Sequence, residues 1–392
     1  GSYDTPIYLT GAYVYHDHLA VLFTSQNLLR RTVYCHYYDC HKKEIAEPFE
    51  TIVFPETTAL CARRKGADYV SLTFELDEKP QVPVRIVDRT KGYEHEFTVC
   101  AAPIHGSEPK WIQILDFIEY YKLMGATKIF LYVIEIDAYT QLLLNDYLRT
   151  GEVDITYPYD NYFHLPFTWH RNTIYDCNQK NKYYSKWTAF IDLDERITMN
   201  STSKFPRIVD LLRAEKDPSV ISHDYQVQWV KKTEDMPPRY INESHLMSEL
   251  LYKKYTDTSQ LGAPGVQPKS IVRPDKIGSM FIHYPNLLFP GTRRKQITPD
   301  VGYLRHYRET KGTSNKCERD LMLKHEPFYK SNIDPVVDAM LTKAIVERAK
   351  FVYEKHPEPD CPTQQELYQR KGRDAPCWKE YVKLNATFVD YK

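Results

Sequence analysis

Over residues 3–95 the chain alternates short apolar runs with turn residues. Ala12-Tyr-Val-Tyr15, Leu19-Ala-Val-Leu-Phe23, Thr32-Val-Tyr-Cys35 and Val82-Pro-Val-Arg-Ile-Val87 are rich in Val, Tyr and Phe. Runs of this length and composition, punctuated by turns, predict the strands of a small sandwich. At Glu96 the period changes. Phe97-Thr-Val-Cys-Ala-Ala102 reads as a buried strand, and Ile112, Leu115, Phe117, Ile118, Tyr121 and Leu123 then recur at helical spacing over 109–124. Pro109 suits the first turn of that helix and Gly125 its C-cap. Strands over 128–134, 153–157 and 187–191 alternate with helices over 138–149 and 168–183. Apolar strands alternating with helices predict an α/β fold, a doubly wound and mostly parallel sheet. Beyond it the pattern predicts a helix over 205–216, a strand over 219–230 and strand-like segments at 269–273, 280–283 and 301–306. An amphipathic helix over 335–355 has Val336, Met340, Leu341, Ile345 and Val352 inward. The chain thus divides into a β-rich domain (1–95), an α/β domain (96–330) and a helix with a Cys- and Pro-bearing tail (331–392).

The fourth strand of the α/β series ends in acids: Trp187-Thr-Ala-Phe-Ile runs straight into Asp192-Leu-Asp194-Glu195. On an extended strand Asp192 and Asp194 share a face. Two adjacent carboxylates repel unless a cation sits between them and an anion. Ligands of open α/β sheets lie beyond the carboxyl ends of the strands. The pattern predicts a metal–phosphate site, with Asp194 on Mn²⁺ or Mg²⁺ and Asp192 on the metal or a ribose. Glu195 would orient a neighbouring base or bind sugar. No Gly-x-Gly-x-x-Gly is present, which argues against a dinucleotide site.

Composition narrows the partners. Lys+Arg and Asp+Glu both number 52, so nothing suggests an electrostatic grip on nucleic acid or on an acidic membrane. No run of about 18 apolar residues is present to span a membrane. Gly1-Ser2 reads as the scar of a cleaved tag, so an upstream anchor is an expectation. The eight cysteines, with sequons at Asn200, Asn242 and Asn385, favour the secretory pathway. Cys35 and Cys40 are expected to form a local disulfide rather than a zinc site, and Cys361 and Cys377 a second pair in the tail. The 32 tyrosines suit sugar recognition and β-rich cores alike.

The segment 99–317 resembles glycosyltransferase family 92. The likeness rests on the stretch 112–134, on Tyr175-Asp-Cys177 ahead of Trp187–Glu195, and on Arg305-His-Tyr-Arg308 ahead of Cys317. It implies a GT-A nucleotide-sugar fold and an inverting enzyme. Animal members resemble β-1,4-galactosyltransferases that use UDP-galactose, including one that extends core fucose on N-glycans. By the same resemblance, a late histidine joins the metal: His306, with His283 as its competitor. Arg305 and Arg308 would neutralise the diphosphate, Arg171 and Asn172 would face the nucleotide with Asp176 on their side, and His105 would lie by the uracil and ribose. The general base is expected in the loop holding Glu234 and Asp235, with Glu243 and Glu318 as rivals. Trp229 stacks on a sugar or belongs to the core. The full protein would be a type II membrane protein of the Golgi lumen with a glycan acceptor. Alternatives are another UDP-sugar donor, or a non-catalytic glycan-binding protein on the same scaffold.

Overall fold

Seven strands precede the change of period: β1 (Leu9–Val14), β2 (Leu19–Phe23), β3 (Thr32–Tyr38), β4 (Glu44–Ile52), β5 (Thr58–Cys61), β6 (Tyr69–Thr73) and β7 (Val84–Asp88). The computed structural model describes residues 7–24, 27–106, 108–158, 166–310, 320 and 322–354. Cys317, Glu318, Cys361, Cys377 and Asn385 lie outside them. The seven strands follow one hydrogen-bonded order, β4-β3-β6-β7-β1-β2-β5, where two facing sheets were expected. Ala12, Val21, Phe23, Val33, Tyr37, Val70 and Leu72 still form one buried cluster. The sheet therefore curls over its own core. A disulfide joins Cys35 of β3 to Cys61 of β5, strands near opposite ends of the order. This corrects the expected Cys35–Cys40 pair: Cys35 points into the core, whereas Cys40 lies exposed and reduced in the β3–β4 turn.

The α/β domain follows with β8 (His95–Ala101), α1 (Trp111–Leu123), β9 (Lys128–Tyr132), α2 (Ala138–Thr150), β10 (Val153–Thr156), α3 (Pro166–Asn181), β11 (Ser185–Ile191), β12 (Glu195–Met199) and α4 (Ile208–Ala214). Then come β13 (Val220–Tyr225), β14 (Val227–Lys232), α5 (Glu243–Glu249), α6 (Leu251–Lys254), β15 (Asp257–Leu261), β16 (Lys269–Val272), β17 (Ile277–Met280), β18 (Pro285–Leu288), β19 (Arg293–Gln296), β20 (Gly302–Glu309), β21 (Tyr329–Lys330) and α7 (Pro335–Ala349). The central sheet has the order β10-β9-β8-β11-β16-β13-β19. Its first four strands are mutually parallel, as the alternating pattern predicts, and β16 runs antiparallel to both neighbours. A second disulfide, Cys100–Cys177, ties β8 to α3.

The strand expected over 219–230 is two strands in two sheets. The chain breaks at Gln226, and β14 enters a second sheet, β12-β20-β14-β15-β21. Both halves are buried almost throughout, so the apolar pattern carries no mark of the change. Gly125 does end α1, at φ +97°, its N–H donating to the Lys122 carbonyl at 2.9 Å. In α7 the buried positions are Leu341, Ile345 and Ala349, with Val352 in the following turn. Val336 and Met340 are 66% and 52% exposed, against expectation. Leu341, Ile345 and Ala349 recur at i, i+4 and i+8 and set the buried face, from which Met340, one residue before Leu341, is turned by about 100°; Arg348 pairs with Asp146 and Glu152 at 2.5 and 2.7 Å.

His223 of β13 is fully buried, with Nε2 3.3 Å from Glu215 Oε2 and its ring 5.0 Å from Trp187. Burial pushes its pKa down to about 4, outweighing the pull of Glu215. The folded value lies below the ordinary ~6.5 of an unfolded histidine. Stability is therefore lost as pH falls from ~6.5 toward ~4, where the unfolded chain binds a proton that the native one refuses. Between pH 7 and 4.5 the wild type should lose about 2–3 kcal/mol more than His223→Gln. Denaturant midpoints at the two pH values check this, and parallel losses in the two proteins would remove His223 as the cause.

Candidate active site

Asp192, Leu193 and Asp194 form the turn between β11 and β12, where the sequence suggested a continued strand. The Glu195 N–H donates to the Asp192 carbonyl at 3.0 Å, closing the turn. The Glu195 carboxylate reaches back to accept the Asp192 N–H at 3.0 Å. The Tyr307 N–H donates to the Asp194 carbonyl at 2.8 Å, and Glu195 stands opposite His306 in the β12–β20 register. Arg196 clamps the turn from below, donating to the Leu193 and Glu195 carbonyls at 2.8 Å each. Its guanidinium also pairs with the buried Asp116 of α1. The acids thus stand at the carboxyl end of a central parallel strand, held on both sides.

The three carboxylates have different partners. Asp194 Oδ2 lies 3.2 Å from His306 Nε2 and 3.7 Å from Arg308 Nη1. Asp192 Oδ1 lies 3.0 Å from Lys269 Nζ and 3.5 Å from His170 Nε2. Glu195 has Oε2 3.2 Å from Lys269 Nζ and Oε1 3.5 Å from His306 Nδ1. Asp192 and Asp194 keep about a quarter of their side-chain surface open (28% and 23%), whereas Glu195 and Lys269 have 2% and 1%. The two aspartates therefore face outward, and Glu195 and Lys269 sit behind them.

The charges follow from these contacts. Burial would raise the Asp192 carboxyl, but Lys269 and then His170 pull it well below the usual range. Burial likewise opposes ionisation of Asp194, and His306 overcomes it and lowers the pKa. Glu195 goes the other way: burial, reinforced by the charge of Asp192, pushes it up to about 7. Burial disfavours the charged form of His306, yet Asp194 and Glu195 together raise its pKa. Burial lowers His170, with Asp192 opposing and Lys269 and His105 adding to the lowering.

Several sequence-predicted residues meet here and others do not. His306 and Arg308 alternate on one face of β20, beside Asp194. Arg305 lies on the other face, buried, donating to the Ser331 carbonyl at 2.9 Å; the strand period turns it away from Asp194. Arg171 pairs with Glu56, and Asn172 Nδ2 donates to the Thr24 carbonyl at 3.3 Å. Asp176 accepts from the Tyr13 and Tyr132 hydroxyls at 2.8 and 2.6 Å. These three side chains bind α3 to the β-rich module and core rather than facing the acids. His105 is exposed at the same edge, near enough to affect His170. His283 follows β17; burial and the charge of Lys269 push it down to about 4.

Glu234 pairs with Lys254 at 2.8 Å, and Asp235 is exposed beyond β14. Glu243 opens α5 and pairs with Lys350 at 2.9 Å. Trp229 is a core residue, 1% exposed and stacked on His325 at 4.3 Å. Sequence reasoning missed Lys269 and His170. Lys269 opened a segment read only as a strand, and nothing in Lys269-Ser-Ile-Val marks the lysine as buried. His170 adjoins the Arg171-Asn172 pair that drew attention instead.

Among the described residues no ready group of three or more His, Cys, Asp or Glu side chains is arranged to hold a metal ion. The donor chemistry of one pair nevertheless suits a divalent cation. Asp194 Oδ2 and His306 Nε2 are an oxygen and a nitrogen donor 3.2 Å apart at a partly open edge. Asp192 fits less directly, because Lys269 already neutralises it. Among the described residues no helix is long and apolar enough to cross a membrane.

The model of glycosyltransferase family 92 matches residues 95–344, more than half of the chain. The β-1,4-galactosyltransferase galt-1 of Caenorhabditis elegans is 24% identical over 259 residues, covering 62% of this chain and 55% of that protein. The chain thus spans about half the length of this curated relative. Solved structures align weakly. S. aureus TarS gives a TM-score of 0.29 at 13% identity over 54% of this chain and 37% of its own. Yersinia pseudotuberculosis HddC gives 0.24 at 11% over 63% and 98%. Likenesses of that size carry no argument.

Proposed function

The chain belongs to glycosyltransferase family 92, and on that premise we propose that it is a metal-dependent inverting galactosyltransferase of the GT-A type. It moves galactose from UDP-galactose to a glycan hydroxyl and forms a β-1,4 linkage. One observation carries the reading. Inside the matched region, a turn at the carboxyl end of a parallel strand presents Asp194 outward against His306 and Arg308. Asp194 and His306 would hold Mn²⁺ or Mg²⁺, which when bound supplies positive charge to the departing diphosphate. Arg308 adds a fixed guanidinium beside it. Asp192 is kept ionised by Lys269 and would meet the donor's ribose or the metal. The acceptor hydroxyl gives its proton to a carboxylate of the loop after β14, where Asp235 is exposed and Glu234 is held by Lys254.

Two disulfides support folding in an oxidising compartment, in line with a lumenal Golgi enzyme anchored in the full protein. The test is transfer from UDP-galactose to N-glycan acceptors with Mn²⁺, with Mg²⁺ and with chelator. Transfer should need the cation and should be at least about tenfold faster than from UDP-glucose or UDP-GlcNAc, a gap of about 1.4 kcal/mol in transition-state binding. Equal use of the other donors would overturn the galactose assignment. Neither transfer nor hydrolysis of any UDP-sugar would leave the non-catalytic glycan-binding reading.

A further inference from the structure

A cavity of about 220 Å³ lies where the β-rich module meets the family 92 domain, and no role described above uses it. Tyr8 comes from the module, Tyr132 ends β9, Tyr157 follows β10, and Trp169, Asn172 and Asp176 come from α3. The volume is below the ~300–1,000 Å³ of sites for drug-sized ligands and admits one small ring. Its lining combines the aromatic rings of Tyr8, Tyr132, Tyr157 and Trp169 with the hydrogen-bonding groups of Thr156 and Asn172. Asn172 is 6% exposed, and its Oδ1 is buried with no hydrogen-bond partner while its Nδ2 donates to Thr24. Its described lining includes no lysine or arginine, and Asp176 adds negative charge. A nucleotide diphosphate is therefore the wrong chemistry for it. The wall at Tyr8, Leu9 and Thr10 also lies outside the matched region 95–344, whereas a donor site common to the family would be built inside that region.

Position adds to chemistry. Tyr132 and Thr156 are the last residues of the parallel strands β9 and β10, whose carboxyl ends lie on the same side of the sheet as that of β11, which Asp192 follows. Trp169 directly precedes His170, whose ring reaches Asp192 at 3.5 Å. We propose that this cavity is a subsite for one neutral pyranose ring, which, given the transferase reading above, is a ring of the acceptor glycan. A pyranose offers an apolar face to the aromatic rings and hydroxyls to Asn172, Asp176 and the cavity threonines.

The test is saturation-transfer NMR on the full chain in Mg²⁺ buffer. The probes are methyl β-D-galactopyranoside, methyl α-L-fucopyranoside and UDP. At least one glycoside should take up saturation. Its affinity should fall about fivefold to tenfold in Tyr157→Ala and in Tyr8→Ala, the loss expected for one stacking ring, with UDP unchanged. Tyr157 is 53% exposed, so its replacement leaves folding intact if Tyr8→Ala does not. In turnover, the same variants should raise the acceptor KM by that factor at unchanged kcat and unchanged hydrolysis of the donor. Absence of glycoside binding, binding that survives both changes, or a parallel loss of UDP binding would each overturn the site. A wild type that binds glycoside in this variant-sensitive way but never uses a UDP-sugar would overturn the transferase reading instead and leave the pyranose site standing.

Discussion

Asp194→Ala should lower kcat for transfer by about 10²–10³-fold, the cost of losing one preorganised group that stabilises developing charge, while the protein stays folded. Of the three acids, Asp194 combines an open edge with two cationic partners, His306 at 3.2 Å and Arg308 at 3.7 Å. Asp192 shares its charge with Lys269, and Glu195 closes the turn from behind. Removing the Asp194 carboxylate takes away the oxygen donor beside His306 and the acid that Arg308 pairs with at 3.7 Å. The fold should tolerate the change because the backbone of Asp194 remains bonded to Tyr307. A second readout is independent of turnover. Asp194 is the foremost group raising His306, against the effect of burial, so the ring of His306 should titrate at lower pH in the variant, followed by its NMR resonance. Unchanged transfer would sink the metal assignment. An unchanged His306 titration would show that the 3.2 Å contact does not persist in solution.

The periodicity of the chain made the parallel half of the sheet readable, because apolar strands and helices alternate there with little interruption. It also located the acids correctly at a strand end. It could not show that Asp192–Glu195 is a turn, since neither the backbone bond from Glu195 to Asp192 nor the Glu195 carboxylate that reinforces it leaves a mark on the apolar pattern. Arg305 illustrates a missed but available signal: in an extended strand, residues 306 and 308 share one face and 305 the other, which alone separates Arg305 from the site. The roles of Arg171, Asn172 and Asp176 were not available in that way. Their partners, Glu56, Thr24 and Tyr13, lie more than a hundred residues away in another module. Lys269 was hidden for a related reason. A lysine at the start of a strand usually lies at the surface, and only the tertiary fold shows it buried beneath two carboxylates.

Lys269→Met should destabilise the protein by about 3–5 kcal/mol at pH 8, the usual cost of leaving a buried charge without its partner. Lys269 is 1% exposed and touches Asp192 at 3.0 Å and Glu195 at 3.2 Å. Methionine fills a similar volume, so the change removes charge more than packing. Two carboxylates then face each other in a buried site, and both must rise in pKa. A group whose folded pKa is raised above its unfolded value is stabilising below the unfolded value and costs stability as pH rises past it. In the wild type Glu195 already stands at about 7; in the variant Asp192 should rise too, released from the ammonium that holds it down. The deficit should therefore be small near pH 4, where both acids accept protons, and grow through pH 5–8. Urea midpoints across that range measure it. Adding Glu195→Gln to Lys269→Met removes one of the two stranded charges and should recover part of the loss, a coupling that a double-mutant cycle isolates. If Lys269→Met matches the wild type at pH 8, or if the second change deepens the loss, Lys269 is not the counter-charge of the acid turn.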